Sequence, residues 1–326
     1  MSKILITGMT AQQCSPIANS RGITFSGLIR SALVSAGHEV DLKQVDINDE
    51  TIHEYDKVLV GLAPMTSLGA NYVYGALHAM SVVDKNKLFT FIDAPEPSRI
   101  TSSLKAIVND PNNLSKTLHS NRKGYAETDF EQALQVCNDL YTARWPETLY
   151  PSLPWGRSVS ALSALPSGSH NVLTSISLDS FVEVPNVETS KVDKWAVDSP
   201  KSQWTSKVTA QLILPAVPMK WHKGWTDAHI SEQIASSIGS IISPHRGGTW
   251  WTPRYMQSLL LGTPVATEWQ ESRWIGDSWA VLPAGIEAMS SGERYNLAMH
   301  QLSAYLAHTP KRSEALDKLE TTLGLK

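Results

Sequence analysis

Apolar residues at the start of the chain fall into short runs that alternate with amphipathic stretches. Lys3–Thr7 holds the short apolar run Ile4–Leu5–Ile6, too short for a helix and followed by Gly8, which predicts a buried strand. Ile23–Ala36 carries its apolar residues at helical spacing and meets a stop signal at Gly37. The same reading gives strands at His38–Val45, Val58–Gly61 and Lys87–Ile92, and a helix at Tyr72–Val83. Strands alternating with helices at this spacing predict βαβ units and a parallel sheet covered on both faces.

The pattern lapses and then restarts. Residues 98–150 read as mainly helical. Residues 151–170 gather Pro151, Pro154, Gly156, Pro166 and Gly168 among serines, the composition of a linker. Strands are expected at Val172–Leu178 and Val208–Leu214, whereas 185–205 is polar and shows no usable period. A helix at Asp227–Ile238 precedes a short strand of Ile241 and Ile242, then a loop. Pro253 suits the first turn of the next helix, which runs to Gly262, and Thr263–Thr267 is another buried strand. Trp279–Leu282 reads as a short strand, and Glu293–His308 and Lys311–Leu323 as helices broken at Pro310. The expected fold is α/β with two Rossmann-like domains, 1–160 and 161–326, the last helix packing back on the first domain.

Composition narrows the function classes. The chain has 326 residues, 42% hydrophobic, enough for two cores. A net charge of −3 gives no global reason to expect nucleic acid, though it leaves a local basic face open. Two cysteines, Cys14 and Cys137, make no disulfide framework and fit a reducing cytoplasm. No apolar run approaches the ~18–20 residues of a membrane span, and MSKILITG reads as a strand rather than a signal peptide. The 11 tryptophans are many, and Trp195, Trp204, Trp221, Trp225, Trp250 and Trp251 stand in polar surroundings that suit stacking on a sugar or base.

Candidate chemistry concentrates in the loop His245–Arg246–Gly247–Gly248–Thr249. Free backbone N–H groups, a helix start and a guanidinium together suit phosphate at the C-terminal edge of a parallel sheet. Arg246 and Arg254 flank this loop, and each is either a phosphate ligand or a solvated arginine, or for Arg254 the partner in an ordinary helix salt bridge. Gln257, one turn after Arg254, is either a ribose contact or a solvated helix residue. Gly8 opens a long polar loop, but the next glycine is Gly22, so the three-glycine dinucleotide fingerprint is missing. That loop either binds nothing or faces substrate. Asp93, just after a strand, is either a turn aspartate or a general base. Lys220, His222 and Lys223 interleave with Trp221 and Trp225, which suits a nucleobase or nucleic acid as well as simple surface packing. No paired-histidine or C-x-x-C metal spacing, no G-x-S-x-G elbow and no phosphate loop of the G-x-x-x-x-G-K type occurs.

Several segments, in order, resemble the bacteriophage DNA glucosyltransferases of the β-glucosyltransferase type, within the GT-B glycosyltransferases. They are KILITGMT, SAGHEVDL, YDKVLVGLAPMTSLGA, KLFTFIDAP, and LPAVPMKWHKGWTDAHISEQIASSIGSIISP followed by TPRYMQSLLLGTPVATE. The resemblance covers most of the chain and is weakest across 100–205. It implies two domains facing a cleft, Asp93 as general base, Arg254 near the donor and Gln257 at the ribose hydroxyls. With the loop reading above, the expected donor side also takes in Gly8, His222, Arg246, Gly247, Gly248 and Thr249. Gln257 stands where the family usually has a glutamate, a departure. Lys220, Lys223, Trp225 and Trp250 would face the acceptor. The implied activity is inverting transfer of a sugar, glucose by resemblance, from a UDP-sugar to a hydroxymethylated base flipped out of duplex DNA. No cofactor is required beyond the co-substrate, and no ligand set demands a metal, although Mg²⁺ at the diphosphate is compatible. Alternatives are a GT-B enzyme on a glycan, lipid or small molecule, a nicotinamide-dependent epimerase or reductase, and a non-catalytic nucleotide- or DNA-binding protein. The absent glycine fingerprint and absent Tyr-x-x-x-Lys pair count against the nicotinamide enzyme.

Overall fold

Two parallel sheets carry the fold. A computed structural model describes residues 1–8, 25–43, 45, 50–62, 79, 82–84, 86–92, 158–159, 171–172, 176–177, 179–197, 209–219, 227–242, 253–266, 281–307 and 310–326. The first sheet contains β1 (Lys3–Gly8), β2 (Glu39–Leu42), β3 (Lys57–Leu62), β4 (Leu88–Ile92) and β6 (Asn171–Val172), in the order β2-β1-β3-β4-β6. All four pairings are parallel. Helix α1 (Phe25–Ser35) connects β1 to β2 and lays Leu28, Ile29, Ala32 and Leu33 against Ile4 and Ile6. The helical spacing of those side chains gives α1 its buried face. A two-residue antiparallel ladder joins β5 (Ser158–Val159) to β7 (Ile176–Ser177).

The second sheet is also parallel, in the order β11-β10-β8-β9. Its strands are β8 (Trp195–Val197), β9 (Ala216–Pro218), β10 (Gly239–Ile241) and β11 (Val265–Ala266). Helices α2 (Asp227–Ala235) and α3 (Pro253–Leu260) connect them, followed by α4 (Pro283–Ala288), α5 (Ser291–Leu306) and α6 (Arg312–Leu323). Helix α5 starts in a capping box: Ser290 Oγ accepts from the Glu293 amide at 3.3 Å, and Glu293 Oε2 accepts from the Ser290 amide at 2.8 Å. No helix among the described residues is long and apolar enough to cross a membrane.

Three expectations need correction. The strand near 172 pairs with β4, so it completes the first sheet instead of opening the second. The strand expected at Val208–Leu214 lies at Ala216–Pro218; residues 212–214 form a loop in which Leu212 and Leu214 pack on the core while Ile213 points outward. Trp195, counted among the tryptophans in polar surroundings, is fully buried at the start of β8. A Cβ on Gly239, its register partner in β10, would lie 2.5 Å from the Trp195 ring, so the glycine leaves the indole its space. Trp195 Nε1 donates to Glu287 Oε1 at 2.9 Å, which answers the polar edge of a buried indole.

One apolar cluster runs across both sheets. It joins Ile4, Leu28 and Leu33 to Phe181, Ala196, Ile230, Tyr255, Leu259 and Tyr305, and to Ala315, Leu319 and Leu323 of α6. Helix α6 packs against α1, where Glu320 Oε1 accepts from His38 Nε2 at 3.2 Å and Glu320 Oε2 from Lys326 Nζ at 2.8 Å. The other ring nitrogen, His38 Nδ1, accepts from the Ser2 amide at 3.2 Å, which fixes the imidazole between the start of the chain and α6.

Candidate functional site

Strand order locates the ligand edge of each sheet. In the first, the chain steps from β1 outward to β2 and then returns to β3 on the other side of β1. The β1/β3 boundary is therefore a topological switch point, and ligands of open α/β sheets bind beyond the C-terminal ends of the strands at such a point. Gly8 ends β1 there and is in register with Gly61 of β3. Its φ of +100° and the 2.6 Å that would separate a Cβ from the Gly61 carbonyl oxygen both exclude a side chain. Gly61 is in register with Phe91 and Leu62 with Ile92, so β1, β3 and β4 end along one line. Asp93 is the next residue after β4. Strand β4 itself stands two strand spacings, about 10 Å, from β1.

The second sheet repeats the device. The chain leaves β8 for β9, then returns past β8 to β10, so the switch lies between β8 and β10. Residues 243–252, with Arg246, Gly247, Gly248, Thr249 and Trp250, connect β10 to α3 from this boundary. Residues 220–226, with Lys220, His222, Lys223 and Trp225, connect β9 to α2 from the same edge. Pro218, Val197, Ile241 and Ala266 form the last register row of the four strands. Both candidate segments thus issue from one edge, with β8 between their parent strands. Asp93, Lys220, His222, Lys223, Trp225, Arg246, Gly247, Gly248, Thr249 and Trp250 themselves lie outside the described residues, as do Trp204, Trp221 and Trp251. Arg254 is placed in the first turn of α3.

Buried polar contacts hold the frame under this edge. Ser258 Oγ in α3 donates to Ser240 Oγ in β10 at 3.0 Å, and neither serine is exposed. Gln257 is 1% exposed, and its Nε2 donates to Ser231 Oγ in α2 at 3.1 Å. Of the two expectations, burial excludes the solvated helix residue, and the amide nitrogen joins two helices. At its far end α3 closes on Gly262, with φ +67°, where the Thr263 amide donates to Ser258 O at 2.9 Å and the Gly262 amide to Leu259 O at 3.0 Å. The sequence marked this stop correctly.

The opposite, N-terminal edge of the second sheet is clamped by Lys191. Its Nζ donates to Ser237 O and to Thr263 Oγ1, each at 3.0 Å. Burial, aided by the Arg294 charge, lowers the ammonium to about 8. Arg294 itself donates from Nε to Ile286 O and from a terminal nitrogen to Glu287 O, both at 2.9 Å, at the C-terminal end of α4. Sequence reading missed Gly61, Ser231, Ser240 and Ser258. Only Gly61 left a signal, a glycine at the end of an apolar run.

No protein-family model matches the chain, and no curated protein matches it by sequence. Solved structures do match. A structure titled T4 phage BGT in complex with UDP and Mn²⁺ superposes with a TM-score of 0.54 over 98% of this chain and 99% of that one, at 12% identity. The chain shares the fold of T4 phage BGT. A mutant of the same phage protein in complex with UDP-glucose gives a TM-score of 0.56 at 11% identity, with the same coverage of both chains. The likeness spans both sheets, and the architecture is the two-domain α/β arrangement of the GT-B type expected from sequence.

Proposed function

We propose that this chain is a glycosyltransferase that moves glucose from UDP-glucose to the hydroxyl of a hydroxymethylated base in phage DNA, in the cytoplasm of the host cell. The observation that carries this reading is the near-complete structural likeness to T4 phage BGT, solved with UDP and with UDP-glucose. Support also comes from the two switch points, since the strands that precede the candidate segments end at the ligand edges of their sheets. The donor diphosphate is held by Arg246, the 247–249 backbone and Arg254, with His222 and the Gly8 end of β1 also on the donor side. Charge that develops on the leaving diphosphate is stabilised by those donors. Asp93 accepts the proton of the acceptor hydroxyl as its oxygen attacks the anomeric carbon. The bond from that carbon to the phosphate oxygen breaks, UDP leaves with the electron pair, and a single displacement inverts the centre. In this reading Gln257 is assigned no direct ribose contact, since its amide nitrogen is directed at Ser231.

The acceptor base must leave the helix stack to reach such a site. Lys220, Lys223, Trp225 and Trp250 supply the cationic and aromatic groups for that contact. Among the described residues no three acidic, histidine or cysteine side chains gather as a cation site. A net charge of −3 favours a second reading, the same donor chemistry on a glycan or small molecule. The test is to incubate the protein with UDP-glucose labelled in the sugar and duplex DNA containing hydroxymethylcytosine. Label fixed to that DNA, and absent from unmodified DNA, is the expected result. Label fixed only to glycan acceptors gives the second reading, and no transfer to any acceptor contradicts both.

A further inference from the structure

Two helix starts frame the proposed donor edge of the second sheet. Helix α2 begins at Asp227, after β9, and α3 begins at Pro253, after β10. Ser231 and Gln257 each stand four residues into their helix, about 6 Å along the axis at ~1.5 Å per residue. The Gln257 amide donates to Ser231 Oγ over 3.1 Å in an interior where neither residue is more than 1% exposed. A bond between buried polar groups is directional, and removing one partner leaves the other desolvated, so the two helices keep one relative placement. Ser258 adds a second tie, from α3 to Ser240 of β10 at 3.0 Å. A neutral amide suits the place, since a carboxylate would carry a charge into it.

We infer that Gln257 is a positioning residue for the donor, acting through Ser231. The pair fixes the starts of α2 and α3 relative to one another, and donor affinity depends on that placement rather than on contact between Gln257 and the ligand. The inference rests on the UDP-sugar reading. A nucleoside diphosphate is long enough to be held at separate points, and a displacement of about 1 Å between those points weakens binding.

The test compares wild type with Ser231→Ala, Gln257→Leu and the double variant. UDP affinity is measured by calorimetry, donor and acceptor kinetics by turnover, and amide hydrogen exchange over 227–235 and 253–260. Each single variant is expected to weaken UDP binding and raise the donor KM on the order of three- to tenfold. The kcat at saturating donor and the acceptor KM should hold within about twofold, and the double variant should be no worse than the poorer single one. Exchange should rise in both helices in either single variant, although each changes one helix only. A Ser231→Ala protein that binds UDP as tightly as wild type, beside a weakened Gln257→Leu, overturns the inference in favour of direct contact. Multiplying effects in the double variant, or exchange that rises only in the altered helix, overturn it too. Failure of the wild type itself to bind UDP contradicts the donor reading instead, and the exchange pattern still decides whether the two helices are locked.

Discussion

Gly8 shows how far a single position constrains the site. A methyl group there would meet Gly61 O at 2.6 Å on a backbone already at φ +100°. Gly8→Ala is expected to destabilise the fold by about 2–4 kcal/mol, read as a lower melting temperature and urea midpoint. An unchanged midpoint would show that the β1/β3 ends are looser than described. Trp195 carries the opposite lesson: polar neighbours in sequence suggested an exposed stacking residue, yet its ring packs over Gly239 and its N–H is answered by Glu287, ninety-two positions later. No local window holds that partner. The burial of Gln257 was hidden in the same way, because Ser231, which receives its amide, lies in another helix. Asp93 is proposed as the base from its place after a strand and lies outside the described residues. Asp93→Asn is expected to lower turnover by about 10²–10⁴ with UDP affinity retained. Turnover equal to wild type would remove it as the base.

Among elements, continuous apolar runs and glycine stops were the readable signals. β1, β3, β4, α1, α5 and α6 lie within a few residues of expectation. β8 was missed because a three-residue strand in a polar stretch has no period to detect, and β9 was expected too early, on the apolar run that precedes Pro215. The edge strand β11 depends on a residue no pattern reveals. Gln301 of α5 is fully buried, accepts from the Val265 amide at 2.9 Å and donates to Val265 O at 2.9 Å, thereby pairing the open edge of the sheet. Gln301→Leu leaves both backbone groups without that partner and is expected to destabilise by about 2–4 kcal/mol, measured by chemical denaturation. A loss below roughly 0.5 kcal/mol would mean the edge is satisfied otherwise.

Helix α6 sets an acid limit on stability. The hydrogen bond from Lys326, chiefly, and that from His38 hold the Glu320 carboxyl below its ordinary range. A lowered folded value means that the stabilisation is fully present above the ordinary carboxylate range and is lost as pH falls through it toward the folded value. The wild-type melting temperature should therefore decline on acidification from about pH 5 to pH 3. Glu320→Gln should melt lower than wild type at neutral pH and lose less over that interval. Parallel acid profiles for the two proteins would show that the α6 contact is not a titrating one.

At the scale of the whole molecule, the two-domain α/β architecture was legible because strand–helix alternation repeats on both sides of a proline-, glycine- and serine-rich stretch. The crossing between sheets was less so: β6 pairs with β4 at residues 171–172 and β8 opens the second sheet at Trp195, so the chain passes from one sheet to the other after 172. We place the domain boundary in that interval, with α6 returning to α1 and the apolar cluster continuous across both halves. Fold alone does not set the donor, since GT-B and nicotinamide-binding domains share switch-point geometry. Ligand binding to the native state separates them directly, because a specific ligand raises the melting temperature by mass action. The decisive measurement is the thermal unfolding of the wild-type protein with UDP, UDP-glucose, other sugar nucleotides, NAD and NADP. The account predicts a rise with UDP and UDP-glucose and none with the nicotinamide dinucleotides; a rise with NAD or NADP alone would contradict it.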